Sequence, residues 1–310
     1  MGREAGREAA DAVRRMQEHM LAHLREPVSM AALAKAAGYS PGHASGLFRQ
    51  ATGLLPFDYL RSLRLTAAAK RLRDEPVRVV DVAFDFTFDS HEGFTRAFSR
   101  EFGLPPADYA RRKPPVRWFL PYLAGAPGRD GAGRENGMDE KKETIAVFVQ
   151  AVDRPARKAV VRRGVAATEY FAYCEEVGCD VWGVLASIKE ALYEPVGMWL
   201  PEGMRRPGTS EYVQGVEVPA DYAGELPDGF ELLDLPPCRL LVFQGPPFRD
   251  EDFGEAIEAL GDVMERYQPE LYGFRWADDD GPRIQLEPQG CRGYIEARPV
   301  RSVAGSRPAV

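Results

Sequence analysis

Residues 79–112 read VVDVAFDFTFDSHEGFTRAFSREFGLPPADYARR. Val79, Val82, Ala83 and Phe86 recur at helical spacing over a short first segment. Phe88-Asp89-Ser90 interrupts that pattern as a turn, and Ser90 is placed to cap the next segment. Phe94, Ala97, Phe98 and Phe102 then resume the helical period, and Gly103 ends it. The stretch predicts a short helix, a turn and a second helix.

The same arrangement occurs upstream. Ser29 caps the short run MAALAKAAG, with Leu33 and Ala34 inward and Gly38 in the terminating position. Ser40-Pro41 opens a second helix with Ala44, Leu47, Phe48 and Ala51 on one face, stopped by Gly53. The segments LFRQATG and AFSREFG share an aromatic, a basic residue and a terminal glycine, the mark of an internal duplication. Between the two units Pro56 opens a long helix to about Arg73, with Phe57, Leu60, Leu63, Leu65, Ala68 and Leu72 as its buried stripe. Ahead of both, a helix from about Arg7 to Leu24 ends near Glu26-Pro27, because the residue before proline disfavours the α region.

The 310 residues carry 40 Lys and Arg against 47 Asp and Glu, a formal charge of −7 that by itself argues against a nucleic-acid partner. Division at Arg117 reverses that argument. Residues 1–117 hold 19 basic and 14 acidic side chains, a formal +5; residues 118–310 hold 21 and 33, a formal −12, and together these restore −7. A basic half joined to an acidic one points to a nucleic-acid-binding part fused to something else. The 45% apolar share supports real cores. No apolar run approaches the roughly 18 residues of a membrane span. MGREAGREAADAVRR has no apolar stretch of the secretory kind, and four cysteines make no disulfide framework, so a cytoplasmic location is expected.

Residues 118–143 form the expected linker, since AGAPGRDGAGRENG has five glycines, although VRWFLPYL before it is apolar enough to pack on a domain. From Thr144 the character changes to α+β. Strand-like runs fall at 145–149, 158–161, 212–218, 239–243, 283–286 and 294–297, and helix-like runs at 181–192 and 250–266. Strand, helix and two strands thus occur twice. The fold expected for 144–300 is a duplicated βαββ unit in one antiparallel sheet with helices on one face, followed by a tail at 301–310. The expected N-terminal fold, over 1–117, is all-α with two helix-turn-helix units joined by a long helix.

In a helix-turn-helix the early residues of the second helix approach base edges. Those are Gly42, His43, Ser45, Gly46 and Arg49 in the first unit and His91, Glu92, Thr95, Arg96 and Arg100 in the second, with Ser90 as the cap. In the C-terminal half, Glu287 lies in the apolar run RIQLEP, where a carboxylate needs a partner. A bound cation facing aromatics is one such partner; an outward orientation or an arginine is the alternative. Glu211 and Glu217 are further acidic candidates. Cys174-x4-Cys179 is not a zinc spacing, and the four histidines all lie in the first 91 residues. No metal, cofactor or catalytic constellation is read.

LAKAAGYSPGHASGLFRQATGLLPFDYLRSLRL together with the opening stretch gives residues 12–112 a resemblance to the AraC/XylS-type DNA-binding domain. That resemblance implies seven helices, double-stranded promoter DNA as partner and DNA contacts at His43, Ser45, Arg49, Ser90, His91, Glu92, Thr95, Arg96 and Arg100. The family often has a base-contacting arginine where Gly46 stands, and usually glycine where Thr87 stands. YFAYCEEVGCDVWGVL, GTSEYVQGVEVP, VFQGPPF and PRIQLEPQGCRGYIEARPV resemble the GyrI-like effector-binding domain. This implies a hydrophobic, often cationic small-molecule effector in an aromatic groove, with Trp182, Trp199, Tyr212, Phe243 and Tyr272 as walls and Glu287 as the acid. The combined expectation is an effector-modulated transcriptional regulator, monomer or homodimer, with no membrane partner. Two alternatives stand beside it. One is a GyrI-like hydrolase of reactive small molecules. The other is an effector-independent DNA-binding factor whose acidic half dimerises or contacts RNA polymerase.

Overall fold

The computed structural model describes residues 2–121, 145–178 and 180–303. These fall into two compact units. The first is helical: α1 (Gly2–Ala22), α2 (Met30–Ala37), α3 (Pro41–Thr52), α4 (Pro56–Asp74), α5 (Val79–Asp85), α6 (His91–Phe102) and α7 (Pro106–Arg112). The stops are the glycines that the pattern marks. Gly38, Gly53 and Gly103 take φ of 78°, 75° and 76°, the left-handed region that costs other residues a steric penalty. Ser29 accepts from the Ala32 amide at 3.2 Å and Ser90 from the Gly93 amide at 3.0 Å, so each satisfies a free N–H at a helix start.

The α1–α3 half closes over Met16, Met20, Leu33 and Phe48, and reaches Tyr59 and Leu60 on α4. The α6 face of Phe94, Phe98 and Phe102 packs ring against ring, tilted or edge-on, towards Tyr109 of α7. Two arginines fasten helix ends. Arg15 donates to the Ala36 and Ala37 carbonyls, both at 2.9 Å, and Arg64 donates to Leu24 and Glu26 at 3.0 and 2.6 Å. The buried Gln17 amide donates to the Tyr59 hydroxyl at 2.9 Å, and burial pushes that phenol up to about 12. Phe57, expected in the buried stripe of α4, is 45% exposed, because Pro56, Tyr59 and Leu60 take the inward side of the first turn.

The helical unit also runs beyond Arg117. Val116 and Trp118 are buried, the Arg73 guanidinium sits 4.5 Å from the Trp118 ring centre, and the Phe119 ring meets Tyr59 edge-on at 4.8 Å. A linker starting at 118 is therefore too early, since these apolar rings are used in packing. The remainder of the expected linker, from 122 to 143, lies outside the described residues.

The second unit contains β1 (Phe148–Arg154), β2 (Arg157–Arg163), α8 (Tyr170–Val177), α9 (Val181–Ala186), β3 (Val196–Trp199), β4 (Tyr212–Pro219), β5 (Glu231–Leu235), β6 (Cys238–Gln244), α10 (Phe253–Arg266), β7 (Phe274–Trp276), β8 (Arg283–Leu286) and β9 (Ile295–Ser302). The strands form one antiparallel sheet in the order β1-β6-β9-β8-β3-β4-β2-β5, with β7 paired to β9. β2-helices-β3-β4 and β6-α10-β8-β9 have the same connectivity. They meet along β3 and β8, and β5 and β1 flank them symmetrically.

Several boundaries differ from expectation. The first strand starts at Phe148, and the helix from Val181 stops at Ala186, after which the Leu192 amide donates to the Glu217 carbonyl at 2.8 Å. The run at 250–266 begins as a 3-10 turn before α10, and β9 continues through Ser302 into the expected tail. Periodicity does not mark α8, β3, β5 or β7.

Directly paired residues share a face of a sheet. One face packs on helices: Leu241 and Phe243 meet Leu260 and Met264 of α10, and Tyr212 meets Tyr173 of α8 at 5.7 Å between ring centres. The other face buries Ala159, Val161, Met198, Val213, Leu240 and Ile284 in one cluster. There the sheet curls until Arg157 of β2 donates to the Cys238 sulfur of β6 at 3.8 Å, although the strands stand far apart in the order. Arg157 is 2% exposed and donates to Glu217 at 2.7 Å. Among the described residues no helix is long and apolar enough to cross a membrane.

Candidate functional site

Helices α3 and α6, each of 12 residues, align as repeats when Phe48 is set on Phe98 and Gly53 on Gly103. Ala44 and Phe48 point inward from α3, and Phe94, Phe98 and Phe102 from α6. Away from the core, α3 exposes Gly42, His43, Gly46, Arg49 and Gln50, and α6 exposes His91, Glu92, Arg96 and Arg100. Ser45 and Thr95 occupy matching half-buried flanks, and Ser90 caps α6. The structure thus brings His43 and Arg49 of one unit, and His91, Glu92, Arg96 and Arg100 of the other, onto outward stripes, whereas the Thr95 hydroxyl, expected at the DNA, is turned inward and buried without a partner among the described residues. Arg49, Arg96 and Arg100 form no ion pair or hydrogen bond among the described residues.

In that alignment Gly46 falls opposite Arg96. A β-carbon at position 46 would meet nothing within 4 Å, so the gap is chemical and not steric. The turn of the second unit carries Thr87 at φ 60°, and its hydroxyl is buried without a partner among the described residues. A β-branched residue in the left-handed region is strained.

The sheet unit presents a polar cluster where its two repeats meet. The register pairs Trp199 with Tyr212 and with Arg283, Gly197 with Gln214 and with Gln285, and Gln285 with Glu296. All project to the helix-bearing face. Tyr212, Gln214, Tyr294 and Glu296 are each no more than 2% exposed. Among the described residues the Tyr212 hydroxyl and both polar atoms of the Gln214 amide have no hydrogen-bond partner. Burial holds the Tyr212 and Tyr294 phenols well above the ordinary tyrosine value. The Tyr294 hydroxyl donates to Glu296 Oε2 at 3.2 Å, while Arg283 Nε donates to Glu296 Oε1. The same guanidinium lies 4.9 Å from the Trp199 ring centre. Trp199 is itself fixed by its Nε1–H donating to the Thr168 carbonyl at 2.9 Å, with the Tyr212 ring edge-on at 5.1 Å.

Of the expected ligand residues, Trp199 and Tyr212 belong to this cluster. Trp182 is half-buried on α9, with Tyr170 at 6.4 Å. Phe243 is buried in the α10 cluster against Tyr267 at 5.0 Å, and the exposed Tyr272 stacks on Tyr267 at 5.4 Å. Glu287 is exposed, and its Oε2 accepts from Gln289 at 3.2 Å. It follows the last paired residue of β8, where strand alternation no longer turns a side chain inward. Glu211 is paired with Arg205 and Glu217 with Arg157. The buried acid of this cluster is Glu296, which the reading of the sequence passes over. Its signal was the repeat Tyr212-x-Gln214 and Tyr294-x-Glu296 at equivalent places in the two halves.

Cys174, Cys238 and Cys291 form no disulfide among the described residues. Among the described residues no group of three His, Cys, Asp or Glu could hold a metal ion.

Residues 33–112 match a helix-turn-helix domain family. The right origin-binding protein of Escherichia coli (strain K12) is 37% identical over 103 residues, 31% of this chain and 36% of that protein. The regulatory protein SoxS of the same strain is 36% identical over 90 residues, 29% of this chain and 84% of that protein. The DNA-binding domain of AdpA, solved in complex with a target DNA, is 29% identical, covers 33% of this chain and 91% of that chain, and has a TM-score of 0.31. The chain thus spans about a third of the length of the first relative, and the family match falls on the helical unit. With two helix-turn-helix units in the fold and SoxS covered over most of its length, the chain belongs to the AraC family of helix-turn-helix regulators.

Proposed function

We propose that the chain is a transcriptional regulator that docks α3 and α6 on double-stranded promoter DNA and responds to a small molecule held on the helix-bearing face of its sheet unit. The observation that carries the DNA reading is the repeated outward stripe on α3 and α6, with three unpaired arginines facing away from the core. Arg96 and Arg100 supply positive charge for phosphates and a fork for base edges. The Ser90-capped start of α6 directs backbone N–H groups outward. The 19 residues of α4 span about 28 Å, close to the ~34 Å separation of successive major-groove faces.

The effector reading rests on the duplicated βαββ sheet, which resembles the GyrI-like domain, and on buried polar groups without partners between its halves. Tyr212 and Gln214 are the candidate contacts, with Trp199 as an aromatic wall; the buried acid beside them is Glu296 in place of Glu287, held by Arg283 and Tyr294 and not itself a contact. This is binding without turnover: the one hydroxyl–carboxylate pair of the cluster, Tyr294 with Glu296, is buried, and its carboxylate is also held by Arg283.

The test is selection of binding duplexes from a random library with the full chain, and then fluorescence anisotropy on the enriched sequence. Enrichment should be lost in an Arg96→Ala, Arg100→Ala double variant. No enrichment by the wild type would reject the DNA reading. An enriched duplex bound equally well with and without saturating ligand would reject effector coupling.

A further inference from the structure

A buried carboxylate beside an aromatic face is the arrangement that recognises an organic cation. At the junction of β3 and β8 both parts are present, and both are already engaged. Glu296, with its side chain 3% exposed, is bonded by Arg283 through Nε and by the Tyr294 hydroxyl. The Trp199 face carries the same guanidinium at 4.9 Å. Asp278, the next acid to act on Arg283, is held by Arg298 in a two-pronged pair at 2.6 and 2.7 Å, so it offers no second seat. Arg283 lies in the first position of β8, and its side chain reaches the site from the rim, 44% exposed.

We propose that Arg283 is a built-in occupant of the cation position, so that this site excludes cations and selects uncharged, hydrogen-bonding aromatic molecules. The inference rests on reading this face as an effector site. A tethered guanidinium competes at high effective concentration, and any incoming cation must displace it from ring and carboxylate together. The groups left for a ligand are the Tyr212 hydroxyl and the donor and acceptor of the Gln214 amide, none of which has a partner. They are neutral and buried, and their bonding needs are met by a molecule that carries a carbonyl or ring N–H. The two repeats divide the work. The half with Gln214 offers uncharged bonding, and the half with Glu296 keeps its charge internally neutralised.

Isothermal titration of the full chain with two probes of one shape, N-methylquinolinium and the uncharged N-methylquinolone, tests this. The wild type should bind the quinolone at least about tenfold more tightly than the cation. Arg283→Met should raise cation affinity by about tenfold, and adding Glu296→Gln should remove that gain while the quinolone stays within about threefold. Should Arg283→Met not fold, Arg283→Gln keeps a donor for Glu296 without the charge and serves instead. A cation that binds wild type as tightly as the folded Arg283 variant, or fails to bind that variant, overturns the proposal. Cation capture by the variant with unchanged promoter affinity would uphold Arg283's role and reject the effector reading.

Discussion

The Tyr212 hydroxyl lies directly over Gly197 of the neighbouring strand, where a side chain would have to be. Gly197 is therefore the residue that lets a phenol cross β3 and reach the junction of the two repeats. Gly197→Ala should expel that ring, cost about 1–3 kcal/mol from overpacking and abolish quinolone binding. Denaturant unfolding with titration of the folded fraction measures both. Tyr212→Phe should have the opposite sign on stability, neutral to about 1 kcal/mol stabilising, because it removes a buried hydroxyl that has no partner. Its quinolone affinity should still fall.

Thr87 combines a left-handed backbone with an unsatisfied buried hydroxyl. Thr87→Gly should relieve both and stabilise the helical unit by about 1 kcal/mol, after the greater unfolded-state freedom of glycine is deducted. A lower melting temperature for the variant would show that the turn depends on the β-branched side chain.

Gly46 and Arg96 hold equivalent positions on the two outward stripes. Gly46→Arg enters open space and replaces a glycine inside a helix, so stability should rise by up to about 1 kcal/mol. DNA affinity should rise as well. A new phosphate contact would steepen the salt dependence of log K by about 0.9, whereas a new base contact would add about 1–3 kcal/mol of discrimination at one position. Arg96→Ala should produce the mirror-image loss, and anisotropy titrations across salt concentrations separate the two cases.

Glu176 accepts hydrogen bonds from the backbone amides of Val165, Ala166 and Ala167, the latter two at 2.9 and 3.0 Å. These bonds, Ala166's foremost, hold its pKa below the ordinary 4.5. The carboxyl is more acidic folded than unfolded. Its contribution is complete above about pH 4.5 and disappears as pH falls through the lower folded value. Glu176→Gln should lower the melting temperature at pH 7, and the gap to wild type should close in acid. A gap that stays constant from pH 7 to 3 would contradict the assignment.

The helical unit was legible because its signals are local. Phe94, Phe98 and Phe102 repeat at helical spacing, and Gly38, Gly53 and Gly103 mark stops that only glycine takes without strain. The sheet was legible as a repeat but not strand by strand. β3 is four residues long and includes Gly197, so it has too few side chains to show alternation. β5 alternates exposed Leu232 with half-buried neighbours, a weak signal for an edge. The acid of the central cluster was misplaced for a related reason. Glu287 adjoins an apolar run, while Glu296 is inward only because β9 pairs with β8 and β6, a relationship between distant segments. Comparison of the two halves residue by residue places Glu296 against Gln214, and that route was open in the sequence.

The unequal pair Gly46 and Arg96 bears on orientation. On the reading proposed above, a chain seated through both helices would hold its duplex with the sparser set His43 and Arg49 at one end and the denser set His91, Glu92, Arg96 and Arg100 at the other. Its binding site would then have a head and a tail, with base preferences crowded under α6 and sparse under α3. Turning such a site around in a promoter would turn the whole protein around, carrying its acidic sheet unit from one side of the start point to the other.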